Sequence, residues 1–253
     1  MSYSLLDPAI CLLIAVALAT HGLRRKSLAP SGALAALVVG FLTLTGGTKV
    51  FGIALIGFYL IGSRATKYGK KTKARLEEGN HASGAGYRSG RQVFCNSAAG
   101  LVAAFLWNAA FAPTSVHARI ARAMGADVTM GVFGITSTDP LACPVDKFVG
   151  DGWSRALLFA ALGHFACCLG DTLASELGIL GGTPLLITTM RPVPRGTNGG
   201  VSLGGTLASF LGGGLVGLLI GVGLALENWT CGVGVVWTCV GYGLLGGGFG
   251  SLV

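Results

Sequence analysis

The chain has 253 residues, 52% of them hydrophobic and 11% charged, with a formal net charge of +8 and a mean hydropathy of +0.69. A soluble domain carries about 25% charged residues, so lipid is the expected solvent and the positive balance reads as loops facing an anionic leaflet, not as a nucleic-acid footprint. The 43 glycines keep no strict period, which excludes a fibrous protein; they suit transmembrane helices whose backbones approach closely.

The apolar runs follow one another along the chain. The first, residues 8–23, ends at Arg24-Arg25-Lys26 and reads as a retained helix, since no basic n-region precedes it and no small-residue cleavage signal leads into a soluble chain. The second covers 28–45. The third, 50–62, is short against the roughly 17–25 residues of a span, so it is expected to continue into Arg64–Tyr68. Residues 63–91 are the most basic segment, with Arg64, Lys67, Lys70, Lys71, Lys73, Arg75, Arg88 and Arg91 against Glu77 and Glu78. A fourth span is expected over 93–112, a long polar connection over 113–152, and a fifth helix over 153–178. After a polar stretch, spans six and seven are expected over 201–226 and 232–253.

The fold expectation is all-α: a polytopic transmembrane bundle of about 6–7 helices, forming a single integral membrane domain over 1–253. Lysine and arginine alternate from loop to loop. By the positive-inside rule the N-terminus is outside, and the loops 63–92 and 170–200 share the cytoplasmic side. The loop 113–152 lies opposite, with Arg119, Arg122 and Lys147 balanced by Asp127, Asp139, Asp146 and Asp151. Seven cysteines, odd in number and without C-x-x-C spacing, predict neither a disulfide framework nor a zinc site.

The chemistry concentrates in residues 170–200. Asp171 and Glu176 near the end of the fifth helix, Thr188 and Thr189, and Arg191-Pro-Val-Pro-Arg195 followed by Gly196-Thr-Asn-Gly-Gly200 form a phosphate-and-metal inventory. Carboxylates offer hard oxygens to Mg²⁺, guanidiniums offer forked donors to phosphate, and a glycine-rich turn exposes backbone N–H groups. Ionisable groups at membrane depth are costly and mark function by default. The bland alternative is a carboxylate paired with a loop arginine for topology alone, beside arginines that meet lipid headgroups. Asp171 and Glu176 lie about 140° apart around a helix, so they grip opposite sides of a ligand, or one binds metal while the other holds a neighbouring helix. Arg88, Gln92 and Asn96 share one helical face, and Asn96 needs a hydrogen-bond partner inside an apolar span. His81 and His164 have no metal-ligand spacing and are assigned no role, His164 reading as a satisfied core histidine.

The motifs G-D-T-L-A-S-E-L-G at 170–178 and P-L-L-I-T-T-M-R-P-V-P-R-G-T-N-G-G-V-S-L-G-G at 184–205 resemble a family of integral membrane proteins. It includes the plant phytyl-phosphate kinases of tocopherol synthesis and the animal transmembrane protein 19. S-R-A-T-K at 63–67 and Q-V-F-C-N at 92–96 extend the likeness. The resemblance implies a kinase that converts a prenyl monophosphate to the diphosphate, with CTP or ATP as donor and Mg²⁺ as cofactor. It implies catalytic roles for Asp171, Glu176 and Arg195, with metal on Asp171 and Glu176. It implies substrate contacts from Ser63, Lys67, Arg88, Gln92, Asn96, Ser175, Thr188, Thr189, Arg191, Gly196, Thr197, Asn198, Gly199 and Gly200. The prenyl tail is expected between glycine-rich helices.

The chain departs from the family at Arg88-Ser89-Gly90-Arg91, where members have R-N-W, and around residues 80–87. Relatives also continue beyond the position of Val253 into a second acidic motif, so an incomplete, inactive member is a further expectation. A transporter or lipid-binding protein and a structural membrane protein are the rival classes. The expected partners are the bilayer and the prenyl phosphate, with no nucleic acid and no protein partner legible. Endoplasmic reticulum and plastid membranes both fit, since no transit peptide is visible.

Overall fold

The computed structural model describes residues 6–69, 87–126, 142–195, 197 and 199–251. Lys70, Lys71, Lys73, Arg75, Glu77, Glu78 and His81 of the basic segment, Asp127 and Asp139 of the long connection, and Gly196 and Asn198 of the glycine turn lie outside the described residues.

Nine α-helices occur among the described residues: α1 (Leu6–Arg24), α2 (Pro30–Leu44), α3 (Val50–Lys67), α4 (Gly90–Cys95), α5 (Ala98–Phe111), α6 (Val116–Ala123), α7 (Trp153–Gly178), α8 (Leu203–Glu227) and α9 (Gly234–Gly250). A small antiparallel hairpin joins α7 to α8, with β1 (Leu185–Leu186) on β2 (Gly200–Val201) and Leu185 opposite Val201. The protein is therefore an all-α, multi-pass integral membrane protein. The third span does continue through Arg64 to Lys67, and the fifth helix runs from Trp153 to Gly178 as its apolar run implied.

Fewer helices than the expected 6–7 are long enough to span a bilayer by themselves. Among the described residues three helical stretches are long and apolar enough to cross a membrane: Val50–Lys67, Val149–Gly178 and Leu203–Glu227. A fourth is formed only if α5 and α6, bent by 87° at their junction, count as one broken span. The reason is length. Helices α2, α5 and α9 have 15, 14 and 17 residues, about 21–26 Å at 1.5 Å per residue, against a hydrocarbon core of about 30 Å. The fourth apolar run is also divided, because α4 stops at Cys95 and α5 starts at Ala98. Helix α6 folds back, and the buried His117 Nε2 meets the Leu42 carbonyl of α2 at 2.8 Å.

The core follows helical periodicity. Leu158, Leu162, Phe165, Leu169 and Leu173 of α7 pack against Val50, Phe51, Ala54 and Phe58 of α3 and against Val216, Ile220 and Leu224 of α8. On the other side of α8, Leu203, Leu207, Leu211, Leu215, Leu218, Val222 and Leu226 are exposed at spacings of four or three, as a lipid-facing stripe requires. The seam between α8 and α9 is closed by glycine. A Cβ on Gly213 would collide with the Gly243 carbonyl, and one on Gly217 with the Cys239 carbonyl. This is the small-residue packing of membrane helices, and it leaves no room there for the expected prenyl tail.

The connections sort into two ends. At one, Leu28 bridges Arg88, Lys67 Nζ donates to the Arg25 carbonyl at 3.2 Å, and Gly69 lies against Leu180. At the other, Glu227 accepts from Thr48 Oγ1 at 2.6 Å and from the Lys49 N–H at 2.7 Å. There Asn228 Nδ2 also donates to the Ala142 carbonyl, and Ser154 joins Trp107 to the Pro144 carbonyl. A disulfide between Cys143 and Cys231 crosslinks this end. It overturns the expectation of no disulfide framework. The two cysteines are 88 residues apart in sequence, yet their Cα atoms are 4.9 Å apart, within bridging distance. Neither an odd count nor a missing C-x-x-C pattern reports such a pairing.

Candidate functional site

At the first of these ends the last turns of α7, the hairpin, the start of α8 and the end of α9 enclose an open cleft of about 460 Å³. Helix α7 contributes Asp171, Ala174, Ser175 and Gly178, the stripe that spacings of three and four place on one face. The hairpin contributes Pro184, Ile187, Arg195, Thr197, Gly199 and Gly200. Helix α8 contributes Ser202, Gly205, Thr206 and Ser209, and Ser251 closes the far side.

The hairpin owes its shape to short-range chemistry. The Met190 N–H donates to the Leu186 carbonyl at 2.7 Å, which folds 186–190 into a tight turn with Met190 at φ 54°. The Ile187 N–H donates to the Gly199 carbonyl at 3.0 Å, and the Thr197 hydroxyl to the Pro194 carbonyl at 2.8 Å. Gly199 has φ 78°, a left-handed conformation that glycine adopts without strain. Ser202 then caps α8, its Oγ accepting from the Gly205 N–H at 3.1 Å. Close contact between Gly178 and Gly205 lets α7 and α8 meet backbone to backbone beneath the cleft.

Two helix ends of opposite polarity therefore border one cleft. The C-terminal end of α7, with the Asp171 carboxylate one to two turns above it, is a place for a cation. The N-terminal end of α8, with Arg195 and the Gly199-Gly200 turn beside it, is a place for an anion. A cation and an anion held side by side are what a metal–phosphate ligand offers.

The sequence-derived residues divide. Asp171, Ser175, Arg195, Thr197, Gly199 and Gly200 line the cleft. Thr188, Thr189 and Arg191 are exposed at the hairpin turn and do not line it. Glu176 is not in the cleft; its charge acts on Arg88. Arg88 is held by its backbone to the α1–α2 connection, its N–H donating to the Ser27 carbonyl and its own carbonyl accepting from Ala29. The guanidinium lies 5.7 Å above the Phe58 ring and against Gly62, near Thr172. Burial pulls its pKa below the usual arginine value, against the opposing influence of Tyr59 and Glu176. Arg88 and Asn96 also border a small apolar cavity of about 70 Å³ among α1–α4.

Other residues have local tasks. Gln92 closes a capping box, its Oε1 accepting from the Ser89 N–H at 2.8 Å. Asn96 sits at the break between α4 and α5, where its backbone accepts a hydrogen bond from His164. Ser63 Oγ is buried without a hydrogen-bond partner among the described residues. Among those residues no group of three or more His, Cys, Asp or Glu side chains could hold a metal ion.

Sequence reasoning missed the hydroxyl floor of the cleft. Ser209 Oγ donates to the Gly247 carbonyl at 2.6 Å and hydrogen-bonds Ser251 Oγ. The available signal was a serine inside an apolar run, and Ser202 three residues before Gly205 was an N-cap signature.

Fold and cleft together define a multi-pass helical membrane protein with a polar site at one end of its bundle. The chain belongs to the family described as Integral membrane protein DUF92, which matches residues 13–253. It is 34% identical to Protein PGR of Arabidopsis thaliana over 214 residues, 81% of this chain and 61% of that protein. It is 29% identical to Protein VTE6, chloroplastic, of Arabidopsis thaliana over 185 residues, 73% of this chain and 44% of that protein. An uncharacterized membrane protein of Synechocystis is 42% identical over 96 residues, 38% of this chain and 37% of its own length. The chain thus spans between about a third and three fifths of these curated relatives. No solved structure matches.

Proposed function

We propose that the protein is an integral membrane kinase that transfers a phosphoryl group from a nucleoside triphosphate, CTP or ATP, to a prenyl monophosphate of phytyl type. The observation that carries this reading is the cleft itself, with Asp171 at its cation-favouring side and Arg195, Gly199, Gly200 and the start of α8 at its anion-favouring side. The resemblance of the 170–178 and 184–205 motifs to the plant phytyl-phosphate kinases supports the same chemistry.

The donor and acceptor phosphates would share this cleft. Phosphoryl transfer rests mainly on positioning and electrostatics, and an acceptor that is already a phosphate anion needs no strong base. Arg195 and the α8 N-terminus neutralise charge on the transferring group. Ser175, Thr197 and Thr206 offer hydroxyls that orient the oxygens. The exposed α8 leucines that begin at Leu203 give the acceptor's hydrocarbon chain a path into lipid at the cleft mouth. Mg²⁺ fits the donor set, because it binds through one or two carboxylates plus substrate phosphates; Asp171 would hold it, and when bound it supplies charge neutralisation between donor and acceptor. Glu176 enters this scheme through Arg88. The topology belongs to the same proposal: 6–7 crossings, the shorter helices included, with the cleft on the cytoplasmic side.

The test is an assay of membranes containing the chain, with phytyl or geranylgeranyl monophosphate, labelled CTP or ATP, and Mg²⁺. A diphosphate product that disappears in Asp171→Asn is the expected outcome. Label bound or carried across the membrane without turnover would replace the kinase by a transporter.

A further inference from the structure

We infer that the two ends of the bundle face different redox compartments: the Cys143–Cys231 end lies on the oxidising side of its membrane, and the Asp171 cleft opens on the reducing side. The inference is independent of phosphoryl transfer and stands whatever the cleft binds.

The first support is where the cysteines lie. Cys11, Cys95, Cys167, Cys168 and Cys239 belong to α-helices and take no part in a disulfide. Cys143 and Cys231 lie in connections at one end, and these two are bonded to each other. Disulfides persist in oxidising compartments and are rare where glutathione and thioredoxin keep thiols reduced. Two thiols become one disulfide by losing two electrons and two protons. An oxidised dithiol–disulfide catalyst of that compartment accepts them by thiol exchange and leaves reduced.

The second support is charge. Among the described residues the cleft end carries nine lysines and arginines, from Arg24 to Arg195, against five at the crosslinked end, Lys49, Arg119, Arg122, Lys147 and Arg155. Lysine and arginine accumulate on the cytoplasmic side of membrane proteins. That bias has no chemical connection with thiol oxidation, yet both criteria orient the molecule the same way. A third support is the purpose a crosslink serves there. It ties the connection before α7 to the turn between α8 and α9, beside the Glu227, Asn228 and Ser154 hydrogen bonds. The crosslinked end is thus a fixed base, and the open end is the one that exchanges ligand. An anionic ligand of the cleft is therefore drawn from the reducing compartment.

The test uses the full chain in the inner membrane of a bacterial host with an oxidising periplasm. In a Cys95→Ser background, Arg24→Cys and the exposed Phe148→Cys are probed separately with a membrane-impermeant maleimide on intact spheroplasts. Phe148→Cys is expected to react at once and Arg24→Cys only after the membrane is opened. In the otherwise unaltered chain, trapped with acid at lysis, Cys143 and Cys231 are expected to take up maleimide only after a reductant is added. Labelling of Arg24→Cys from outside would overturn the orientation. Free Cys143 and Cys231 thiols without reductant would overturn the redox assignment, and that reading needs no variant to fold.

Discussion

Asp171 and Glu176, five residues apart on α7, serve different neighbours: Asp171 lines the cleft between α7 and α8, and Glu176 exerts its charge on Arg88 beside α3. Two acidic residues in one motif thus have two tasks. Asp171→Asn is expected to lower phosphoryl transfer by at least about 100-fold, as for other groups that stabilise developing charge, with the protein still inserting and folding. Glu176→Gln is expected to couple energetically to Arg88→Gln by about 0.5–3 kcal/mol in a double-mutant cycle of thermal stability. Asp171→Asn should show no such coupling to Arg88→Gln. Equal coupling of both carboxylates to Arg88 would refute the division.

Arg191 and Arg195 flank one Pro-Val-Pro segment, but only Arg195 lines the cleft. A hydrogen bond to a charged group contributes about 1.5–3 kcal/mol, which is about 10- to 150-fold in affinity. Arg195→Ala should therefore weaken binding of magnesium pyrophosphate to the detergent-purified protein by at least tenfold, measured by calorimetry. Arg191→Ala should change it less than threefold, because its side chain belongs to the exposed turn.

Much of this was legible in the sequence, and the failures have physical causes. The boundaries of α7 and α8 followed the apolar runs closely, because in lipid a long apolar run satisfies its backbone only as a helix. The crossing number was less legible, since hydropathy registers apolar residues but not that Asn96 ends one helix and Ser97 begins the next. Asp171, Ser175, Arg195 and the glycine turn were identified together through local spacing. The helical angle between Asp171 and Glu176 was legible too, but not that Arg88, from a distant connection, would lie on the Glu176 side. The Cys143–Cys231 bond and the Ser209–Ser251 pair join elements far apart in sequence, and no local pattern encodes them.

Gly199 tests backbone conformation apart from packing. Its φ is 78°, yet a Cβ there would approach Leu186 Cδ1 only to 3.5 Å, an ordinary contact. Gly199→Ala should cost about 1–2 kcal/mol for the left-handed residue and shift the Arg195-bearing loop. The expected readout is a raised KM for the nucleotide with little change in the assembly of the bundle on size exclusion.

The α8–α9 seam should be intolerant of volume where the backbones touch and tolerant where they do not. Gly213→Val places a branched side chain against the Gly243 carbonyl and the Gly247 backbone, and overpacking of this kind costs about 1–3 kcal/mol or more. Gly241 lies on the partner helix α9, two residues before Gly243, with open space around it, so Gly241→Ala should be neutral. Detergent-solubilised Gly213→Val is expected to aggregate or melt well below the parent, while Gly241→Ala melts with it.

Glu227 ends α8 and holds the start of α3 through the Thr48 hydroxyl and the Lys49 N–H. Glu227→Ala removes the acceptor of two charge-assisted bonds, each contributing about 1.5–3 kcal/mol, and should lower the melting temperature clearly. Glu227→Gln keeps the shape: its carbonyl accepts from Lys49, and its amide donates to the Thr48 oxygen, which can act as acceptor. It should retain most of the stability. Reduction of Cys143–Cys231 is expected to add to the Glu227→Ala loss less than the two separate losses predict, because both fasten the α8–α9 turn to the same end. Its own effect should fall below the about 4.7 kcal/mol of a 100-residue loop in the chain-entropy estimate. Membrane helices keep much of their structure when tertiary contacts fail, so the crosslink restricts a chain that is already restricted. Melting curves of the parent and both variants, with and without reductant, measure all of these quantities, and strict additivity would show that the two fastenings act at independent sites.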